Sequence, residues 1–382
     1  MELIGSGTYG CVYFPGFNCK GKSTKKGNHV SKITTDKIGI ESEVNAGKRI
    51  KEKLANYKDF FLIVDKKCNI RKSNLNTYVK NTCKLIDKNT MYSILYSNHI
   101  YGYDLIDYYN TDLSIPNNIR NYYSNFFIYT ENLLIAMLHL ENINLVHFDI
   151  SLKNIRINEN TNKALIIDFG LSMLIDDIIT KRSYTGEIID FNKTLFKKYF
   201  SINPIESFKY CFEIQLLCFI SLNYRDYNSI LRQIDFDYLV KEYYKKNSFF
   251  HIFSEEFKKN YVKNIYTIYS KFIGQSVSSL ACFCLSTWKS WDSFNLSYHL
   301  ISILYNLDEF YPITIKLIHL FMKQLHCDPS KRLSPVKVIE QYYNIINNQN
   351  SKQCLEFKSF IQNTNTKTIK STFDKSVTLL YS

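Results

Sequence analysis

The 382-residue chain is long enough for one large two-lobed domain or two ordinary ones, and its 45% hydrophobic and 22% charged residues exclude a disordered class. Its 48 basic against 35 acidic residues leave a net charge of +13. That excess suits an acidic substrate or an anionic nucleotide, but the lysines are scattered without long runs, so nucleic acid is not an expected partner. No apolar stretch approaches the ~18 residues a membrane span needs, and no signal peptide is apparent, so no membrane partner is expected. The ten cysteines show no C-x-x-C spacing. Only Cys282 and Cys284 lie close, without neighbouring histidines, so zinc is not expected and a reduced intracellular compartment is the default.

In chain order, Ile4-Gly5-Ser6-Gly7-Thr8-Tyr9-Gly10-Cys11-Val12-Tyr13 fits G-x-G-x-x-G-x-V, where absent side chains let a strand–turn–strand backbone close over phosphates. The dinucleotide-binding fingerprint shares the glycines, but there the third glycine opens a helix, whereas Val12 and Tyr13 continue a strand. After a polar, basic loop comes His29-Val30-Ser31-Lys32-Ile33, an expected strand. Ile40 to Leu54 has helical spacing, with Glu43 near its start on the face of Val44 and Ile50 and Glu41 as the fallback two residues away. Phe60 to Val64, Thr82 to Ile86 and Met91 to Ser97 read as strands of a small antiparallel sheet, the last two joined through Asp87-Lys88-Asn89. Asn121 to Asn144 reads as a long amphipathic helix burying Leu133, Leu134, Met137, Leu138 and Leu140.

That helix feeds into His147 to Asn154, HFDISLKN, then two short strands, Ile155 to Asn158 and Ala164 to Ile167, around a polar turn, and then Asp168-Phe169-Gly170. An apolar strand ending in a carboxylate delivers it at a sheet edge, and the hairpin does the same for Asn154 from the other side. The segment therefore presents Asn154 and Asp168 as hard oxygen ligands for Mg²⁺, and Asp149 as a carboxylate able to take a proton from an attacking hydroxyl.

H-x-D-x-x-x-x-N followed by D-F-G, with the glycine motif upstream, resembles the eukaryotic-type protein kinases, most of all the divergent serine/threonine kinases of large DNA viruses. The resemblance implies an α+β, bilobal protein-kinase-like fold: a small antiparallel-sheet lobe over residues 1–99, a large mainly helical lobe over 100–346, and a polar tail over 347–382. It implies ATP and Mg²⁺ as cofactors, a protein substrate offering a Ser/Thr hydroxyl, and a setting inside a host cell or virion. Residues Ile4 to Val12 would cover the nucleotide. Lys32 would hold the phosphates with Glu43 as its partner, Asp149 would be the catalytic base, and Asn154 and Asp168 would bind the metal. Tyr96 to Gly102 would connect the lobes beside the adenine.

Further along, Pro204-Ile205-Glu206 and Cys211-Phe212-Glu213 compete for the family's A-P-E, and either glutamate is a partner for Arg332 within His326 to Ser334. Trp291 to Leu296 resembles the start of the helix whose aspartate, here Asp292, braces the catalytic loop. Between Glu213 and Asp292 lie far more residues than the family needs, so a helical insertion is expected over about 214–288. There are departures as well. Phe148 replaces the arginine that usually precedes the catalytic aspartate, and Ser151 stands where serine/threonine kinases carry a phosphate-contacting lysine. Lys153 occupies the position of the equivalent arginine of tyrosine kinases, which leaves tyrosine specificity open. The alternatives are an inactive scaffold of the same fold and a small-molecule kinase of the aminoglycoside or choline type. Retention of Lys32, Glu43, Asp149, Asn154 and Asp168 weighs against the first. The D-F-G, the full glycine loop, Asp292 and the Asp328 to Ser334 segment weigh against the second.

Overall fold

The computed structural model describes residues 1–7, 10–22, 28–86, 89–110, 116–202, 210–305 and 312–347. It is a mixed α/β chain, with a small antiparallel sheet near the N-terminus and a helical C-terminal part. The residues pack into two units: Met1–Asn110 with Asn125–Met173, and Thr111–Ser124 with the chain from Leu174 onward.

The first unit is built on β1 (Glu2–Ser6), β2 (Cys11–Phe14), β3 (His29–Thr34), β4 (Lys66–Arg71) and β5 (Met91–Asn98), in the spatial order β1-β2-β3-β5-β4. One face buries Tyr13, Phe17, Ile33, Ile70 and Ile94, a run of β-branched and aromatic side chains suited to a pleated surface. Ser31 is fully buried among them, and its hydroxyl accepts from Phe17 N at 3.0 Å and donates to Phe17 O at 3.2 Å. A polar side chain is tolerated there because its bonds are made.

Helix α1 (Lys37–Lys53) starts at Asp36, whose side chain accepts from Ile38 N, and carries Lys51 and Lys53 in its last turn, where they complement the helix dipole. Its buried stripe runs Gly39, Ile40, Glu43, Ala46, Gly47, Ile50, the three- and four-residue spacing of one helix face. Glu43 is thus a carboxylate set into an otherwise apolar stripe, whereas Glu41 lies on the exposed face.

Two of the expected strands are not strands. Asn76 caps α2 (Thr77–Thr82), accepting from Val79 N at 2.8 Å, and Thr82 ends that helix rather than opening a strand. Val79, Cys83 and Ile86 reach the core at spacings of four and three, a helical period that the short 82–86 window hides. Of Phe60 to Val64, only Phe61 forms a bridge, parallel to Ile166 and apart from the main sheet. The strand beside β5 is instead β4, where Ile70 is the one buried residue. An edge strand dressed with Lys66, Lys67 and Arg71 lacks the apolar alternation that would announce it. The expected hairpin turn at Asp87 and Lys88 lies outside the described residues. Cysteine spacing paired none of the ten, yet Cys11 is bonded to Cys83 and Cys19 to Cys68, across 72 and 49 residues.

After β6 (Gly102–Asp104) and α3 (Leu105–Tyr109), helix α4 (Pro116–Asn142) buries Phe126, Tyr129, Leu133, Met137 and Leu140 along one side. Asn144, in the left-handed conformation at φ 55°, turns the chain out of the helix into β7 (Leu145–Val146). The strands β8 (Ile155–Asn158) and β9 (Lys163–Ile166) form the expected hairpin, and β6 pairs on the outer side of β8 with Asp104 opposite Arg156. Gly102 needs its glycine, because at φ +144° a Cβ would lie 1.8 Å from Ile157 O.

The second unit contains β10 (Met173–Leu174, shared with the first), α5 (Ile175–Ile178), β11 (Ile179–Arg182), β12 (Ile188–Phe191), α6 (Lys193–Phe200), α7 (Phe212–Asn223), α8 (Gln233–Lys246), α9 (Glu255–Tyr269), α10 (Val277–Ser286), α11 (Trp291–Tyr305), α12 (Pro312–Gln324) and α13 (Pro335–Asn347). The 214–288 stretch is helical, and its rings close on α7: Phe212 lies 5.1 Å from Tyr243 and 5.2 Å from Tyr269, both edge-on. At the centre Arg332 meets Glu213, with Nη1 to Oε1 at 2.9 Å and Nη2 to Oε2 at 3.1 Å, both side chains essentially inaccessible. Glu206 and residues 348–382 lie outside the described residues.

Candidate active site

Three ionic groups converge beside the sheet of the first unit. Lys32 Nζ, on β3, lies 3.2 Å from Glu43 Oε2 on α1 and 2.8 Å from Asp168 Oδ1. Burial works against the charge of Lys32, but Glu43 and then Asp168 outweigh it and hold the amine above its ordinary pKa. For Asp168, burial pushes up, and the Lys32 ammonium overrides it and keeps the carboxyl below the usual range. Glu43, sunk in the apolar stripe of α1, is pushed up to about 7 by burial against the pull of Lys32. One cation therefore serves two carboxylates, of which Glu43 is buried and the half-exposed Asp168 is not.

Asp168 sits at φ 61° in the left-handed region, and the next turn packs Phe169 into the core and returns Ser172 Oγ to Phe169 O at 2.7 Å. Its Oδ1 also accepts from Gly170 N at 3.4 Å. Lys32 and Gly170 thus both engage Oδ1.

The catalytic-loop residues are bound to this segment by short-range bonds. Ile167 N donates to Asn154 O at 2.9 Å, which sets Asn154 next to Asp168. Asn154 Nδ2 donates to Asp149 O at 2.9 Å and to Asp149 Oδ2 at 2.7 Å, so its amide oxygen faces away from the bonds that orient it. His147 is completely buried. Asp149 N–H donates to Nδ1 at 3.2 Å, which makes Nδ1 the acceptor and assigns the ring proton to Nε2, 3.0 Å from Ile167 O. Burial lowers its pKa to about 4, against the Ile167 carbonyl and Asp168, which raise it. Phe148 holds φ 68° with its ring buried, a conformation that costs an aromatic residue about 1–3 kcal/mol. Where the resemblance implied an arginine, this chain puts a buried phenylalanine.

Beside the ionic triad lies a cavity of about 200 Å³. Ile4, Val12, Val30, Leu62, Val64 and Ile100 give it apolar walls, Lys32 and Asp168 one polar end, and His99, Asp104 and Arg156 another. Gly5 lines its roof, and Gly7 N bonds Gly10 O at 2.9 Å, closing the loop of which Thr8 and Tyr9 lie outside the described residues. A Cβ on Gly10 would come within 3.2 Å of Lys32 Cγ, so the loop passes directly over the lysine stem. Cys11 does not face this cavity. Its side chain is fully buried in the sheet core and bonded to Cys83, as strand alternation requires when Val12 lines the cavity.

The structure therefore brings together Lys32, Glu43 and Asp168, and separately bonds Asp149 to Asn154 and Asn154 to the Asp168 segment. Lys153 is exposed in the turn Leu152–Asn154, with no hydrogen bond or ion pair among the described residues. Sequence reading passed over Arg156, Asp104 and the Leu62–Val64 wall. The clue to Arg156 is the alternation Ile155-Arg156-Ile157 in β8, which turns it to the face opposite the two buried isoleucines.

No family model matches the chain. Over 49 residues, 13% of its length, the chain is 45% identical to a non-specific serine/threonine protein kinase of Drosophila melanogaster, and the match spans 7% of that protein. No helix among the described residues is long and apolar enough to cross a membrane.

Proposed function

We propose that this chain is an ATP-dependent protein kinase of bilobal fold that transfers the γ-phosphoryl group to Ser/Thr hydroxyls of proteins. The observation that carries this reading is the linkage of Lys32 to both Glu43 and Asp168 at the end of an apolar cavity, next to the Asp149–Asn154 pair. Phosphoryl transfer asks for alignment and charge neutralisation rather than covalent help, and these are the groups that supply them. Lys32, held charged by Glu43, donates to the phosphates, and the backbone of Gly5 to Gly10 closes over them. The substrate hydroxyl oxygen forms the new bond to the γ-phosphorus, the bond to the bridging oxygen of ADP breaks, and Asp149 takes the hydroxyl proton. Asn154 keeps Asp149 aimed by donating to its Oδ2.

The donor set fits Mg²⁺. Asp168 Oδ2 and the Asn154 amide oxygen are hard ligands outside the bonds described above, and among the described residues no group of three His, Cys, Asp or Glu side chains would cage a metal. Two protein oxygens suit an ion that keeps its waters and binds substrate phosphates. When bound it neutralises charge on the transferring group. Lys153, exposed and unpaired next to Asn154, is the cation proposed to face the γ-phosphate in place of a lysine at Ser151.

The test is a phosphotransfer assay of the purified chain with Mg-ATP on mixed protein substrates, followed by phosphoamino-acid analysis. Phosphoserine and phosphothreonine are expected. ATP binding without transfer would make the chain a scaffold, and transfer only to small molecules would overturn the substrate class.

A further inference from the structure

Arg156 projects from β8 to the nucleotide-side cavity and ties down three successive points of one wall. Its Nε donates to Ile100 O at 3.2 Å, its Nη2 to Gly102 O at 2.7 Å, and its Nη1 lies 3.0 Å from Asp104 Oδ1. The acceptors alternate along residues 100, 102 and 104, and only a planar guanidinium has donors spread widely enough to meet all three from one side. The wall needs such a tie. Between the end of β5 at Asn98 and the start of β6 at Gly102 the chain has no regular structure, yet His99 and Ile100 line the cavity. Besides Arg156, the segment between the strands is held by His99 N, which donates to Asn28 O at 2.8 Å, by Tyr101 O, which accepts from Glu159 N at 3.1 Å, and by the His99 ring stacked 3.6 Å from that of Phe14. None of these reaches the carbonyls of Ile100 and Gly102 that Arg156 binds.

Electrostatics point the same way. Burial raises the pKa of Asp104 and the Asp107 charge adds to that, while Arg156 pulls it down. His99 is lowered first by burial and then by Arg156. For both groups burial is the larger cause, and beside it the guanidinium favours a charged Asp104 and a neutral His99.

We propose that Arg156 is a positioning residue of the nucleotide site: it clamps the Ile100–Asp104 wall, with the Asp104 carboxylate, in the geometry that receives the nucleotide. The nucleotide part rests on the kinase reading above, and the clamp itself does not. Arg156→Leu and Arg156→Lys in the full chain test both. Without nucleotide, amide hydrogen exchange across residues 99–104 should speed up about tenfold or more in Arg156→Leu, while α1 and β9 keep wild-type rates. Arg156→Lys keeps the charge but not the fork and should recover less than half of the lost protection; full recovery would overturn the fork argument. With Mg-ATP, Arg156→Leu should raise KM for ATP and weaken titrated binding by about tenfold, with kcat within about twofold. Unchanged exchange in the Leu variant overturns the clamp. Faster exchange with unchanged Mg-ATP affinity overturns its role for the nucleotide. A wild-type chain that binds no Mg-ATP brings down the kinase reading, while the exchange comparison still decides the clamp. Should Arg156→Leu fail to fold, the exchange comparison is read from Arg156→Lys, for which wild-type protection overturns the proposal.

Discussion

At the scale of single residues, charge placement separates the roles of the acids. Asp168 has a side chain 45% exposed, so its loss removes the proposed metal ligand and a partner of Lys32 without opening the core. Asp168→Asn should lower phosphotransfer by ~10²-fold or more with an unchanged thermal midpoint, and normal activity with normal Mg²⁺ dependence would remove it as a metal ligand. On the proposed kinase reading Asp149 differs, because its interaction with the hydroxyl proton would develop only along the reaction. Asp149→Asn should cut kcat by ~10²–10⁴ with ATP affinity nearly unchanged. A variant that turns over normally but binds ATP poorly would recast it as a binding residue. Lys153→Met should reduce kcat by about tenfold with little change in KM for ATP. Steady-state kinetics equal to wild type would leave the γ-phosphate to Lys32 and the metal.

At the scale of elements, His147 is the joint between the catalytic loop and the strand that ends in Asp168. Its neutral ring accepts from Asp149 N and donates to Ile167 O, so a second ring proton would face a donor with a donor. Folding lowers the imidazole pKa from ~6.5 to about 4, so the unfolded chain takes the proton first. The resulting stability is complete above pH ~6.5 and is lost as pH falls toward 4, by roughly 3 kcal/mol at the lower end. Denaturant midpoints measured from pH 7 to pH 4.5 should fall in wild type and fall less in His147→Asn. Equal slopes would show that His147 titrates normally. The stability from the depressed carboxylate of Asp168 is present above its ordinary range and is lost in a separate window, as pH falls below that range.

For the molecule as a whole, the second unit is held at its centre by a buried ion pair joining residues 119 apart in sequence. Arg332 also donates through Nε to His326 O at 2.8 Å and through Nη1 to Ser290 Oγ at 3.0 Å, and its guanidinium lies 5.0 Å from the Phe294 ring. Glu213→Gln leaves that cation without its counter-charge, which costs about 3–5 kcal/mol, and the thermal midpoint of the full chain should drop accordingly. Glu213→Leu combined with Arg332→Met removes both charges and should lose less than either single change. A double variant as unstable as the sum of the singles would show that the two side chains contribute independently and that no stranded charge is at work.

What the sequence determined alone is what adjacent residues decide among themselves. The glycine loop, the His147–Asn154 loop, the β8–β9 hairpin and the long helix α4 were legible because turn chemistry and hydrophobic period act over a few residues, and the ionic residues inside those motifs came with them. The rest depended on which surfaces meet. Helix period singled out Glu43 over Glu41, but its bond to Lys32 needs α1 laid on the sheet, and Glu213 reaches Arg332 because the first two turns of α7 are buried. The polar edge strand β4 and the four bonded cysteines carry no local signal, since what stabilises them is a partner distant in sequence or a core that exists only after packing, while the helix at Thr77–Thr82 had one in the Asn76 cap and was misread as a strand. Arg156 is the clearest case: an ordinary arginine in a short strand until folding brings the carbonyls of Ile100 and Gly102 and the carboxylate of Asp104 around its guanidinium.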